Sequence, residues 1–285
     1  MQLLKHTLLA FTAILSMSSC SKDELNENNN ETINQGNDPN FKIVANTDTE
    51  FKGFNRKVEV FGISIYAVAK VEDSKLLHTA NVLAQYLDNN EDGNVDNMKI
   101  LEVMKAKKAY LFMWKSESDQ GKVSFPNGVE GQDLGNDETV PTWHSNGHKG
   151  EFDATLEEVW HIITHVGYAD AYPTVFGEKE GTELTNAMDI ARGGKFASIP
   201  KPYPSGAWYS YDDATCEYDC QATEYIYWAM TSILGAQENR LSDINDEWKL
   251  NTKAKVESTN ITIYKLLTNP LYTFPTKLPD GTYKR

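Results

Sequence analysis

Between residues 26 and 40 the chain is almost entirely Asn, Glu, Asp and Gly, with hardly an apolar side chain, so this tract cannot bury a core. Any fold must therefore be built from the residues C-terminal to it. That remainder, residues 41–285 of a 285-residue chain, suits one large domain, and no second Pro/Gly/Ser-rich stretch divides it. After Cys20, no run approaches the roughly 20 apolar residues that a membrane-spanning helix needs.

The residues before the tract carry their own signal. Lys5 and His6 precede an apolar run over residues 8–15, and Met17-Ser18-Ser19-Cys20 places small residues before a cysteine. This layout resembles a bacterial lipoprotein signal, which implies removal of residues 1–19 and lipidation of Cys20. The adjoining Ser21-Lys22-Asp23-Glu24 resembles the charged export tag of surface lipoproteins in Bacteroidota. The resemblance implies a protein lipid-anchored to the outer membrane and facing outward, with residues 20–40 as a flexible tether; a plain secretory peptide or short anchor is the alternative. Formal charge is −14, from 27 Lys and Arg against 41 Asp and Glu. Such acidity argues against nucleic acid as a partner and supplies carboxylates for hard cations. In an exported protein, Cys216 and Cys220 form a short-loop disulfide by default, with a metal role for the CxxxC pair as the weaker option.

Patterning predicts an α+β fold, predominantly helical, with a small sheet. Residues 58–69 are rich in β-branched and aromatic side chains and read as a strand with helical continuation. Leu76, Leu77, Ala80, Leu83, Ala84 and Leu87 make one helical face, and residues 98–106 a second short helix. The apolar run 109–114 fits a buried strand. The Gly/Asn/Asp-rich segment up to Gly150 reads as loop, with an edge strand near 140–144. A helix capped by Thr155 or Asp153 should stop near Gly167, and further helices are expected at 182–191, 223–234 and 241–248.

Between the first two helices lie Asp88, Asn90, Asp92, Asn94 and Asp96, with Gly93 at the sixth place and Val95 at the eighth. Oxygen ligands at places 1, 3, 5 and 9 around a central glycine resemble the first three quarters of an EF-hand loop, which implies Ca²⁺ binding in a structural role. At place 12 the bidentate Glu is replaced by Lys99. The alternative is a polar helix-to-helix turn.

Chemistry concentrates in Glu157-Glu158-Val-Trp-His161-Ile-Ile-Thr-His165. At about 100° per residue, both carboxylates and both imidazoles share roughly a 100° arc of a helix. Glu157-Glu158-Val-Trp-His161 resembles the HExxH element of zincin metallopeptidases with Glu157 in place of the first histidine. The resemblance implies Zn²⁺, a zincin-like lobe, Glu158 as general base, and Glu157 and His161 as ligands. As in the gluzincin branch, a Glu on a later helix completes the set, and Glu224 is the best-placed candidate. His165 is an additional imidazole, and a site using Glu157 or Glu158 with His161 and His165 would bind metal without the usual catalytic arrangement. A third reading needs no metal. Thr155-Leu-Glu-Glu158 is a capping box, and His161 and His165 are semi-buried polar residues.

Aromatic residues crowd the segment from Tyr203 to Trp228, among them Trp208, Tyr209, Tyr211, Tyr218, Tyr225 and Tyr227. Flat rings beside Asp212 and Asp213 suit a glycan, in which case Trp208 and Tyr209 should form an exposed platform; helical spacing favours core for several. Under the peptidase reading, Tyr211 or Tyr218 could approach the metal. His144 and His148 could supply outer ligands, and Asp189 with Arg192 a local ion pair. No G-x-S-x-G supports a serine nucleophile. Two functions stand: a metal-dependent peptidase, or a non-catalytic, calcium-stabilised surface protein that binds a glycan or protein.

Overall fold

The computed structural model describes residues 41–285. The signal peptide, Cys20 and the tether expected from the sequence lie outside the described residues. The described chain is a mixed α+β domain with one five-stranded sheet, in the order β1 (Val44–Ala45), β2 (Arg56–Val60), β3 (Ile63–Ala67), β4 (Tyr110–Trp114), β5 (Gly131–Gly135). The first three strands pair antiparallel, whereas β3–β4 and β4–β5 are parallel. A parallel step requires a crossover. Here α1 (Asp73–Leu87) and α2 (Met98–Ala106) provide it between β3 and β4. Among the described residues, no helix is long and apolar enough to cross a membrane.

Two strand expectations need correction. Residues 58–69 form no single strand with a helical tail but the hairpin β2–β3, whose two-residue turn is Phe61-Gly62 with φ of 50° and 87°. Positive φ at both central positions matches the right-handed twist of paired strands. A non-glycine residue in that conformation hid the turn inside an apolar run. The edge strand expected near 140–144 is instead a helical turn, Thr142–Ser145, and the edge is β5. The β5 sequence, Gly-Gln-Asp-Leu-Gly, has little intrinsic strand preference. It is held by pairing with the buried β4, and Gly131 is required because a Cβ there would fall 2.1 Å from the Tyr110 ring.

Helix expectations fare better where the signal is local. Residues 98–106 are helical as read, and α4 (Glu183–Ala191) begins after a reciprocal cap between Thr182 and Thr185. α5 (Tyr218–Leu234) starts earlier than expected and ends on Gly235 in the left-handed conformation. Within 241–248 only Leu241–Ile244 is helical, while α6 (Lys253–Thr259) and α7 (Ile261–Leu267) carry no sequence expectation. Cys216 and Cys220 are disulfide-bonded across the start of α5.

α3 (Thr155–Ile162) does not stop at Gly167. It continues into a π-helical turn, Ile163–Tyr168, and then a short helical turn, Ala169–Ala171. Gly167 is a packing residue instead. A Cβ there would stand 3.3 Å from Ile100 Cβ and from Met104 Cγ and Sδ, so the missing side chain lets the π turn lie directly on α2. A Gly167→Val substitution is expected to lower stability by about 1–3 kcal/mol through overpacking, read as a fall in the urea midpoint; an unchanged midpoint would show that this approach is not tight.

Candidate metal centres

α3 packs against α5 in the core, and each brings acidic side chains to the contact. Glu157 and His161 come from α3, Glu224 from α5, and one ligand atom from each lies within 4.8 Å of the others. His161 and Glu224 are buried, 4% and 2% exposed. His161 Nε2 is 3.5 Å from Glu224 Oε2 and has no hydrogen-bond partner. A tetrahedral ion with bonds of about 2.0–2.2 Å holds its ligand atoms roughly 3.3–3.5 Å apart. The observed spacing therefore suits an ion better than a direct hydrogen bond, and the orphaned nitrogen passes the same test. Two carboxylates and one imidazole suit a borderline-soft divalent cation.

The residues around the triad fix its orientation. Glu158 stands on the other side of the imidazole, with Oε2 3.4 Å from His161 Nδ1, and accepts a 2.5 Å hydrogen bond from Gln132 Nε2 on β5. Such a partner sets which ring nitrogen would face an ion held by the triad. Tyr211 donates to Glu224 Oε1 at 3.2 Å. The edge of Tyr227 meets the His161 ring at 5.5 Å. Burial, reinforced by the charge of Glu157, pushes the Tyr227 phenol well up, so it remains a neutral donor. Burial alone would depress His161; the carboxylates of Glu224 and Glu158 outweigh it and hold the imidazole well above its ordinary value. Without an ion, a proton supplies the positive charge that these acids demand.

The structure brings together Glu157, His161 and Glu224, with Glu158 beside them, and separates His165. The arc argument assumed α-helical rotation throughout, but His165 lies in the π turn, where i→i+5 bonding widens each turn and swings later side chains off the original face. His165 Nδ1 is 2.6 Å from Glu178 Oε2 instead, and Glu178 Oε1 accepts from Thr223 on α5. The capping box is also absent as read. Thr155 lies inside the helix with its hydroxyl unpartnered, and Asp153 Oδ1 accepts from the Val140 and Thr155 amides.

In the EF-hand-like loop, Asp88 accepts from the Asp92 and Gly93 amides and from the Tyr283 hydroxyl at 2.6 Å. Asp92 accepts from Asn94, and Asp96 from the Asn89 amide and the Asn90 side chain. Lys99, at the twelfth place, is turned away over the Tyr172 ring at 4.0 Å. Tyr209 is buried and donates to the Gln221 carbonyl, so Trp208 and Tyr209 form no exposed platform.

A second group able to hold an ion comprises His78, His144 and Asp153. The sequence offers His144 as an outer ligand and Asp153 as a helix cap but nothing that joins them, and His78 lies on the side of α1 away from the Leu76, Leu83 and Leu87 face, where its burial has no local signal. Gln132 was missed because β5 was read as loop. No family model matches this chain, and no curated protein or solved structure matches it.

The His165–Glu178 pair has a definite pH signature. Glu178 raises the His165 pKa, its hydrogen bond outweighing burial. A raised folded-state value stabilises fully below the unfolded value of about 6.5, and that contribution is lost as pH rises through the folded value. His165→Ala is therefore expected to destabilise the protein near pH ~5.5 and to have little effect well above the raised value, as urea titrations at the two pH values would read. Equal losses at both would remove the charge from the explanation.

Proposed function

We propose that this is a metal-dependent hydrolase of extracytoplasmic peptides, with Glu157, His161 and Glu224 as ligands of a Zn²⁺-class ion. The anchor implied by Cys20 would hold it at the outer membrane. The observation that carries the reading is convergence: an imidazole and two carboxylates meet from α3 and α5 with ligand atoms within 4.8 Å of one another, and the imidazole nitrogen is otherwise orphaned. When bound, the ion supplies Lewis acidity toward a carbonyl oxygen and lowers the pKa of a water molecule.

The protein's own residues supply placement and proton handling. Glu158 and Gln132 keep the His161 ring turned with Nε2 toward Glu157 and Glu224, and Tyr211 steadies Glu224. A cleft of about 590 Å³ reaches His161 and Glu224, with Tyr110, Phe112 and Phe125 among its lining residues. Its aromatic part suits an apolar side chain, and β5 contributes Gly131, Gln132 and Asp133 to the lining. Resemblance to zincins makes Glu158 the proton acceptor as well, a role in which it must release His161 Nδ1.

Metal analysis of protein purified without chelator tests the centre. Glu224→Ala and His161→Ala are expected to lose the stoichiometric ion, whereas Glu158→Gln, which can still accept from Nδ1–H, retains it and loses peptide hydrolysis. Wild-type protein without stoichiometric ion would remove the hydrolase reading. Hydrolysis surviving in Glu158→Gln would leave Glu158 with an orienting role only.

A second, non-catalytic reading rests on the EF-hand-like order of Asp88, Asn90, Asp92 and Asp96 around Gly93, whose φ of 89° and amide bond to Asp88 make the sharp turn such a loop uses. In that reading the ion stabilises a surface protein that binds its ligand without chemistry. Millimolar Ca²⁺ is expected to raise the melting temperature, and Asp92→Ala, at an exposed position, to remove that response; a melting temperature indifferent to Ca²⁺ and chelator would dismiss the calcium site.

A further inference from the structure

His78, His144 and Asp153 come from three separate pieces of chain: α1, the helical turn Thr142–Ser145, and the segment leading into α3. The side chains of both histidines are 6% exposed and that of Asp153 is fully buried. Both rings present Nε2 to the same atom, Asp153 Oδ2, at 2.7 and 2.8 Å. Both imidazole nitrogens thus converge on one carboxylate oxygen, and the three ligand atoms lie within 4.8 Å of one another. We infer that this cluster is a second metal site, taking a divalent transition ion of the Zn²⁺ class through two imidazoles and one carboxylate, and that its role is to fasten the start of α3.

Donor chemistry supports the assignment. Two imidazoles with one carboxylate form a recurrent three-ligand set for Zn²⁺ and for Fe²⁺. Asp153 Oδ1 is already engaged by the Val140 amide at 2.9 Å, so the carboxylate is fixed by one oxygen and offers the other. Hydrogen bonding among the three groups also leaves His144 Nδ1 buried without a partner.

The surroundings form a seat rather than an accidental cluster. Gly281, with φ of 78°, passes so close to His78 that a Cβ would fall 2.0 Å from Nδ1, and the main chain thereby fixes the ring plane. Accepting an ion requires ligand separations to widen to roughly 3.3 Å, about 0.5 Å more than observed. His144, on a helical turn of four residues, is the ligand best able to make that adjustment. Asp153 lies one helical turn before Glu157, so an ion here would brace the segment that presents the first centre.

The test is independent of the first centre. X-ray absorption of wild-type protein saturated with Zn²⁺ should show two ions sharing three imidazoles, one at His161 and two at His78 and His144. If the first centre is not a metal site, a single ion with two imidazoles remains, and this proposal stands while the hydrolase reading falls. A single ion with one imidazole, or no ion, overturns it. In a Glu224→Gln background, which disables the first centre with little change of shape, one equivalent of Co²⁺ should still bind. Adding His144→Ala should weaken that binding by roughly 100-fold or more, since even outer partners are worth 10–100-fold. Retained affinity in the double variant, with circular dichroism showing it folded, would assign the three residues a hydrogen-bonded brace only.

Discussion

An imidazole buried between carboxylates from two helices is a costly thing to build, and the centre of this domain is arranged around it. His161 cannot lie between Glu158 and Glu224 unless positive charge is present, since removing several acids from water costs far more than packing α3 on α5 returns without it. A proton on His161 meets that demand, and a cation bridging Glu157, His161 and Glu224 meets it more completely. The contact between α3 and α5 is thus conditional on positive charge at His161. Gln132, Tyr211 and Tyr227 take up the remaining polar positions around it.

What could be read from the sequence was what depends on neighbours along the chain. The second helix, from Met98 to Ala106, was visible because its apolar spacing is local, and the strand that ends at Trp114 because its apolar run is unbroken. Glu224 could be proposed because helical signals framed it. The hairpin turn at Phe61-Gly62 was not visible, because positive φ at a phenylalanine is imposed by the strands on either side. Nor was β5, whose residues become a strand only when β4 supplies its hydrogen bonds. The π turn that turns His165 away from the triad carries no local signal, and Gly167 within it is a packing contact with α2 rather than a helix stop.

The two groups able to hold an ion differ in the same way. Glu157 and His161 are four residues apart and announce themselves as a pair, whereas His78 and Asp153 are separated by 75 positions and meet only through the fold. Spacing finds the first kind and is blind to the second. A buried histidine, as at position 78, implies a partner without naming it, and that burial comes from the fold rather than from the spacing along α1.

Closure of the fold runs through residues far apart in the chain. Gln85 receives the Asp280 and Gly281 amides, Asn89 receives those of Thr276 and Lys277, and the Tyr283 hydroxyl donates to buried Asp88. The last of these bonds spans 195 positions. During synthesis from the N-terminus, α1 therefore emerges long before the residues that meet these polar groups. The segment around residue 280 thus closes this side of α1, and without it Gln85, Asp88 and Asn89 would lose these partners.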